Sequence, residues 1–187
     1  TLARPHFQTI FVTPSGEQTR RFSTLKVGKM IQYSPFVKKY FVGDDASNRV
    51  LLRQFSNGAE MAFSYAMEDA DRVRGLSGDR ACLDEYQDLL PDAIEPVIEE
   101  CLRQSKFRYM MRCGTPKTNE NAIQIKWEES TQSEWIIPCF GCNKWNAIRS
   151  EKYFSPKGPI CKGCGRLINP RHGKWLDFNP GAPIKGF

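Results

Sequence analysis

The run Phe7-Gln8-Thr9-Ile10-Phe11-Val12-Thr13 is β-branched and aromatic and is closed by Pro14-Ser15-Gly16, so it predicts a strand. Ser15 followed by Gln18 makes a capping box for a helix over residues 16–33, with Phe22, Leu25, Met30 and Ile31 facing inward. Arg20, Arg21, Lys26 and Lys29 would stay in solvent, and Pro35 stops the helix. Val50-Leu51-Leu52 and Met61-Ala62-Phe63-Ser64-Tyr65 read as short strands around the turn Ser56-Asn57-Gly58. The charged stretch 68–79 reads as an ordered polar loop leading into the short apolar run Ala81-Cys82-Leu83, which ends in Asp84-Glu85. After Pro91, the spacing of Ile94, Val97, Ile98, Cys101 and Leu102 predicts an amphipathic helix that starts or kinks at Pro96. Phe107-Arg108-Tyr109-Met110-Met111-Arg112-Cys113 is another strand, ending at Gly114-Thr115-Pro116. Strands alternating with helices in this way predict an α/β fold over residues 1–130, three-layered with a mostly parallel sheet.

Beyond residue 130 the pattern changes. Cys139-Phe140-Gly141-Cys142 and Cys161-Lys162-Gly163-Cys164 stand 18 residues apart, the spacing of a tetrahedral four-sulfur Zn²⁺ site. Two residues between thiolates let one tight turn present both sulfurs to one ion. Asn143 and Gly165, each following the second cysteine of a pair, occupy positions where such turns need positive φ. Short strands at Trp135-Ile136-Ile137 and Trp145-Asn146-Ala147-Ile148 flank the first knuckle, so residues 131–175 read as a zinc ribbon. Its metal is structural, because four sulfurs leave no open coordination position. His172 is an alternative ligand that a complete cysteine set makes unnecessary. Residues 176–187 read as a linker.

Charge sharpens this division. Residues 1–138 carry 18 Lys/Arg and 19 Asp/Glu, whereas residues 139–187 carry 9 and 2, so the excess positive charge lies at the C-terminal end. That asymmetry suits a polyanion, most simply nucleic acid, although a solvated basic surface has the same composition. Lys144, Arg149, Lys152, Lys162, Arg166 and Arg171 alternate with aromatics and are the candidate nucleic-acid contacts. The same aromatics, Trp145, Tyr153, Phe154 and Trp175, equally serve as the ribbon's small core. No apolar run approaches the 18 residues of a membrane span, and the remaining cysteines, Cys82, Cys101 and Cys113, lie alone, so a soluble chain in a reducing compartment is expected.

Two adjacent carboxylates at the end of a buried strand are what a nucleotide-driven motor needs. One holds Mg²⁺ and the next faces the attacking water. An acidic strand end with no chemistry gives the same letters. With Val73-Arg74-Gly75, Leu83-Asp84-Glu85, Cys113-Gly114-Thr115-Pro116 and the two CxxC knuckles in this order, the chain resembles the large terminase subunit of tailed phages, the ATPase of genome packaging. The knuckles resemble the lambda-type branch of that family.

The resemblance implies a P-loop-type ATPase domain in which Asp84 is the Walker B carboxylate for Mg²⁺ and Glu85 the general base. It further implies that Thr115 senses the γ-phosphate and that Arg74 is an arginine finger offered to a neighbouring subunit, with Arg72 and Arg80 as competing candidates. ATP would be the substrate and double-stranded DNA the cargo. The portal and the small terminase subunit would be partners, in a homo-oligomeric ring docked on the procapsid in the host cytoplasm. No G-x-x-x-x-G-K-[ST] occurs, and Gly28-Lys29 falls inside a predicted helix. The phosphate loop is therefore expected upstream of Thr1 and the nuclease domain beyond Phe187, which would leave the fragment alone inactive. Asp84-Glu85-Tyr86-Gln87-Asp88 also fits the DExx box of a helicase. A non-catalytic zinc-ribbon DNA-binding protein on an α/β scaffold is the third reading.

Overall fold

The computed structural model describes residues 3–42 and 48–187, and the chain divides into two units, Thr1–Ile123 and Gln124–Phe187. In the first, β1 (Gln8–Thr13) is the strand expected from its β-branched run, and its register explains the layering. Ile10 and Val12 face one core, while Phe11 faces another. β1 pairs in parallel with β4 (Glu60–Tyr65) on one side and β5 (Arg80–Leu83) on the other, and β5 pairs in parallel with β6 (Tyr109–Arg112). Two short antiparallel strands, β2 (Asn48–Arg49) and β3 (Leu52–Gln54), complete the order β2-β3-β4-β1-β5-β6.

Helices cover both faces of this sheet. Ser15 caps α1 (Gly16–Arg21), accepting from the Gln18 amide, and the helical path continues through wide π-type turns (Phe22–Gly28) into α2 (Lys29–Tyr33). The sequence expectation placed Leu25 and Met30 inside. They are exposed, and Thr19, Ser23, Val27 and Ile31 are buried instead. The reason is the period: π turns close i to i+5 and hold more residues per turn, so a four-residue spacing stays on one face where 3.6 would rotate off it. A second cap, Ser34, starts α3 (Pro35–Phe41) with proline in its first turn. These helices and the apolar residues of the β3–β4 hairpin, Phe55, Ala59 and Phe63, close one core.

The opposite core belongs to α4 (Pro91–Leu102), whose Ile94, Ile98 and Leu102 are buried against Ile10, Val12, Ala81 and Leu83. The regular helix begins at Pro91 rather than at Pro96, and Pro96 lies inside it. Pro91 supplies the pre-set φ of a first helical residue, and tertiary packing of the Ile94–Ile98 stripe holds the interior proline in place. The polar loop before β5 is anchored by Ala70 and Val73, both buried.

The second unit is built on an antiparallel sheet of β7 (Ser133–Pro138), β8 (Trp145–Ala147) and β11 (Lys174–Asp177), in the order β11-β7-β8. α5 (Ala122–Glu128) leads into it, and β9 (Phe154–Ser155) pairs with β10 (Gly158–Pro159). Its core is small: Ile137 and Ile168 around Cys139 and Cys161, with Cys142 and Ile148 alongside. Residues 176–187, read from sequence as a linker, are hydrogen-bonded back to this unit, from the Thr131 amide to the Ile184 carbonyl at 2.8 Å and from Ser133 to Gly186 at 2.7 Å. Among the described residues no helix is long and apolar enough to cross a membrane.

Candidate active site and metal centre

β5 lies between β1 and β6, so whatever follows Leu83 emerges at the carboxyl rim of parallel strands, where open α/β sheets place ligands. Asp84 comes first, its amide bonded to the Val12 carbonyl at 2.9 Å. Burial, opposed by the Glu85 amide and reinforced by the Glu85 charge, raises its carboxyl above the ordinary aspartate value. A divalent cation is the natural relief for such a half-buried, like-charged pair, since Mg²⁺ takes one or two carboxylates with phosphate and water. Glu85 then turns left-handed, φ 51° and ψ 44°. A side chain with a Cβ is costly there, and such conformations concentrate where geometry serves a site.

The large residue after the acid pair is what fixes the turn. Tyr86 is fully buried, and its hydroxyl donates to Glu95 of α4 at 2.6 Å. Glu95 also receives Arg112 of β6, a pair mostly shielded from solvent. Burial, then the Glu95 carboxylate, pushes the Tyr86 phenol well above its usual value. Burial opposes the Arg112 charge, but Glu95 outweighs it and the guanidinium is held above its ordinary value.

The segment after β6 is stitched to the acid turn. Cys113 donates to the Leu83 carbonyl and accepts from the Tyr86 amide, both at 2.9 Å. The Thr115 amide donates to the Gln87 side-chain oxygen at 3.2 Å, and the Asn121 amide group donates to the Gln87 carbonyl at 3.1 Å. Lys117 pairs with Asp88. Asp84, Glu85 and Thr115, 31 residues apart in sequence at the extremes, thus share one rim.

Arg74 is exposed and bonded to Asp71 at 3.0 Å, within the loop before β5. Arg72 lies over the Tyr65 ring, 4.7 Å from its centroid. Arg80 opens β5, four residues and about 13 Å of extended strand before Asp84, and lies over Phe7.

In the second unit the four knuckle cysteines converge, with all four Sγ atoms within 4.8 Å of one another and the Cys139–Cys164 and Cys142–Cys161 pairs at 3.6 Å. A tetrahedral ion with sulfur at about 2.3 Å sets its sulfurs about 3.8 Å apart, so the set fits one zinc. Asn143 and Gly165 adopt φ of 59° and 71°, as the turns require. The Cys164 and Gly163 amides hold the Cys161 thiol down to about 6. The Lys144 amide favours the Cys142 thiolate, but the neighbouring sulfurs, Cys161 first, push it up to about 11. Four crowded sulfurs cannot all ionise without a cation among them. His172 is not part of the cluster and meets the Phe140 ring edge-on at 5.3 Å.

The basic residues are placed unevenly. Lys152 and Lys162 flank the Tyr153 ring, 4.9 and 5.1 Å from its centroid. Lys144 packs beside Gly163 and Arg166 beside Gly141, over the knuckle turns. Arg149 is held by a bidentate contact to Glu134, one arm at 2.8 Å, and Arg171 sits in the 3-10 turn Pro170–His172.

The family model described as the phage terminase large subunit gpA, ATPase domain, matches residues 3–181. The chain belongs to this terminase family. Among solved structures, the HK97 bacteriophage large terminase is similar at a TM-score of 0.53 and 16% identity, covering 68% of this chain and 26% of its own. The Thermus phage P74-26 large terminase ATPase domain is similar at a TM-score of 0.47 and 18% identity, over 76% of this chain and 57% of its own. No curated protein matches the chain. The chain therefore spans about a quarter of the HK97 terminase. Membership in the terminase family displaces the helicase reading of the acid run. Sequence reasoning missed Gln87, Glu95 and Arg112, whose side-chain contacts reach partners up to 28 residues away, and Lys174, which lies over the Trp145 ring at 4.7 Å.

Proposed function

We propose that this chain is the part of a phage DNA-packaging motor that carries the acids for ATP hydrolysis, followed by a zinc ribbon. The observation that carries this reading is Asp84-Glu85 at the carboxyl rim of β5, hydrogen-bonded through its turn to Gly114-Thr115-Pro116. Asp84 would hold Mg²⁺, which when bound neutralises charge on the β- and γ-phosphates. Glu85 orients the attacking water and takes its proton, and Thr115 senses whether the γ-phosphate is present. Arg74, exposed in its loop, is offered to the nucleotide of the next subunit in a homo-oligomeric ring. Among the described residues β6 is the last strand of the sheet, with Tyr109 and Met111 exposed. We place the phosphate-binding segment of the intact protein against that open edge. Portal, small subunit and double-stranded DNA are the partners this assignment requires.

For the second unit, Cys139, Cys142, Cys161 and Cys164 hold a structural Zn²⁺, and the surrounding bases contact the DNA backbone. Lys152 and Lys162, flanking an aromatic ring, suit that task better than Arg149, whose charge Glu134 already meets. In the intact protein, Glu85→Gln should abolish ATP turnover and leave nucleotide binding in place. Undiminished turnover would reject the motor reading. DNA affinity that stays constant between about 50 and 200 mM salt would reject the phosphate contacts, because each must release a counterion.

A further inference from the structure

Gln87 is neither a ligand nor a base in the scheme above, yet its side chain lies between the two groups that scheme uses. Its Nε2 donates to the Glu85 carboxylate at 2.5 Å, and its Oε1 accepts from the Thr115 amide at 3.2 Å. The amide's orientation follows from its neighbours, since a carboxylate only accepts and a backbone N–H only donates. The root of the residue is held as well, through the Asn121 bond to its carbonyl.

A second observation points to the same contact. A Cβ built on Gly114 would stand 2.2 Å from the Gln87 Oε1 and 3.1 Å from the Tyr86 nitrogen. The glycine of the Gly-Thr-Pro turn therefore leaves the space through which Gln87 reaches Thr115. Its backbone is not left-handed, so close approach, rather than conformational freedom, is what asks for glycine there.

We propose that Gln87 is a positioning residue that ties the general base to the phosphate-sensing turn. One carboxylate oxygen of Glu85 is pinned by the Gln87 amide, leaving the other for water. Because one rigid amide plane bonds both partners, displacement of the Thr115 turn pulls on Glu85. The hydrolytic group is thereby aligned only while the turn is in place. This inference rests on the assignment of Glu85 as base.

The test uses the intact packaging ATPase with four single variants, Gln87→Ala, Gln87→Glu, Gly114→Ala and Glu85→Gln, and the double variant Gln87→Ala/Gly114→Ala. Gln87→Glu keeps the shape and the acceptor for Thr115 but replaces the donor to Glu85 by a like charge, so it remains informative if Gly114→Ala fails to fold. Gln87→Ala, Gln87→Glu and Gly114→Ala should each lower kcat by about tenfold to a hundredfold, the cost of misplacing a reacting group, with KM for ATP little changed. The double variant should be no slower than the worse single, because both remove one contact. Wild-type kcat in Gln87→Glu, or losses that multiply in the double variant, would overturn the proposal. If Glu85→Gln is inactive while the Gln87 variants turn over normally, this inference alone fails. If Glu85→Gln itself turns over, the underlying assignment fails.

Discussion

Asp84 is half-buried beside a second carboxylate, and both conditions disfavour its charge. Its folded-state value is raised, so between the ordinary aspartate range and that raised value the folded chain binds more protons than the unfolded one. Stability is therefore lost as pH rises through that window and stays lower above it. Asp84→Asn removes the titration. In the metal-free chain it should raise the melting temperature at pH 7, with the gain shrinking as pH falls through that window and gone below about 4, followed by thermal denaturation across pH. An acid kept at a stability cost is what a cation-binding position requires. Tyr86 shows the opposite balance. Its hydroxyl is satisfied by Glu95, so Tyr86→Phe should cost about 1–2 kcal/mol in urea denaturation, a charged-acceptor hydrogen bond lost from a buried site. Had the residue after Glu85 been small, nothing in the turn would reach α4.

At the level of elements, α4 carries a proline in its sixth position and remains helical. Pro96 has no N–H for the Asp92 carbonyl and crowds it, a cost the buried Ile94 and Ile98 offset. Pro96→Ala should raise stability by about 1–3 kcal/mol, net of roughly 1 kcal/mol lost when the unfolded chain becomes more flexible. Urea midpoints at constant m-value would check it. Read from sequence, a proline is a boundary marker. The structure passes through it because the apolar stripe on either side packs on one core. The helical stretch 16–33 teaches the same lesson differently. Its extent was legible from the Ser15 cap and Pro35, but its buried face was not, because the π turns change the residue period and the sequence carries no sign of that change.

On the scale of the whole chain, the two units differ in what holds them. The first has apolar cores on both faces of a sheet, and the second has a core in which the knuckle cysteines make up half of the fully buried members. A structural zinc contributes about 10–16 kcal/mol in modules of this kind, more than a core of two isoleucines supplies. All four tryptophans lie in the second unit. Chelation, or Cys139→Ser, should therefore shift tryptophan emission to the red, while the far-UV denaturation midpoint of the first unit moves little. Metal analysis should find one zinc per chain, and well under one would reject the site. An unchanged emission spectrum after complete zinc removal would reject its structural role.

Local chemistry determined most of the parts. Alternating β-branched residues, a serine cap, a heptad-like stripe and two CxxC turns each act over a few neighbouring residues, so their elements and the convergence of the four cysteines were readable in order. The acid pair was readable for the same reason, as the end of a buried strand. What the tertiary structure decided is which of these parts meet. Parallel pairing of β5 with β6 brings Gly114 and Thr115 beside Tyr86 and Gln87, and only then does Gln87 have two partners, 2 and 28 residues away in the chain. A side chain's nearest neighbours along the sequence are set by covalent geometry. Its neighbours across a sheet are set by register, which depends on the burial of both faces at once.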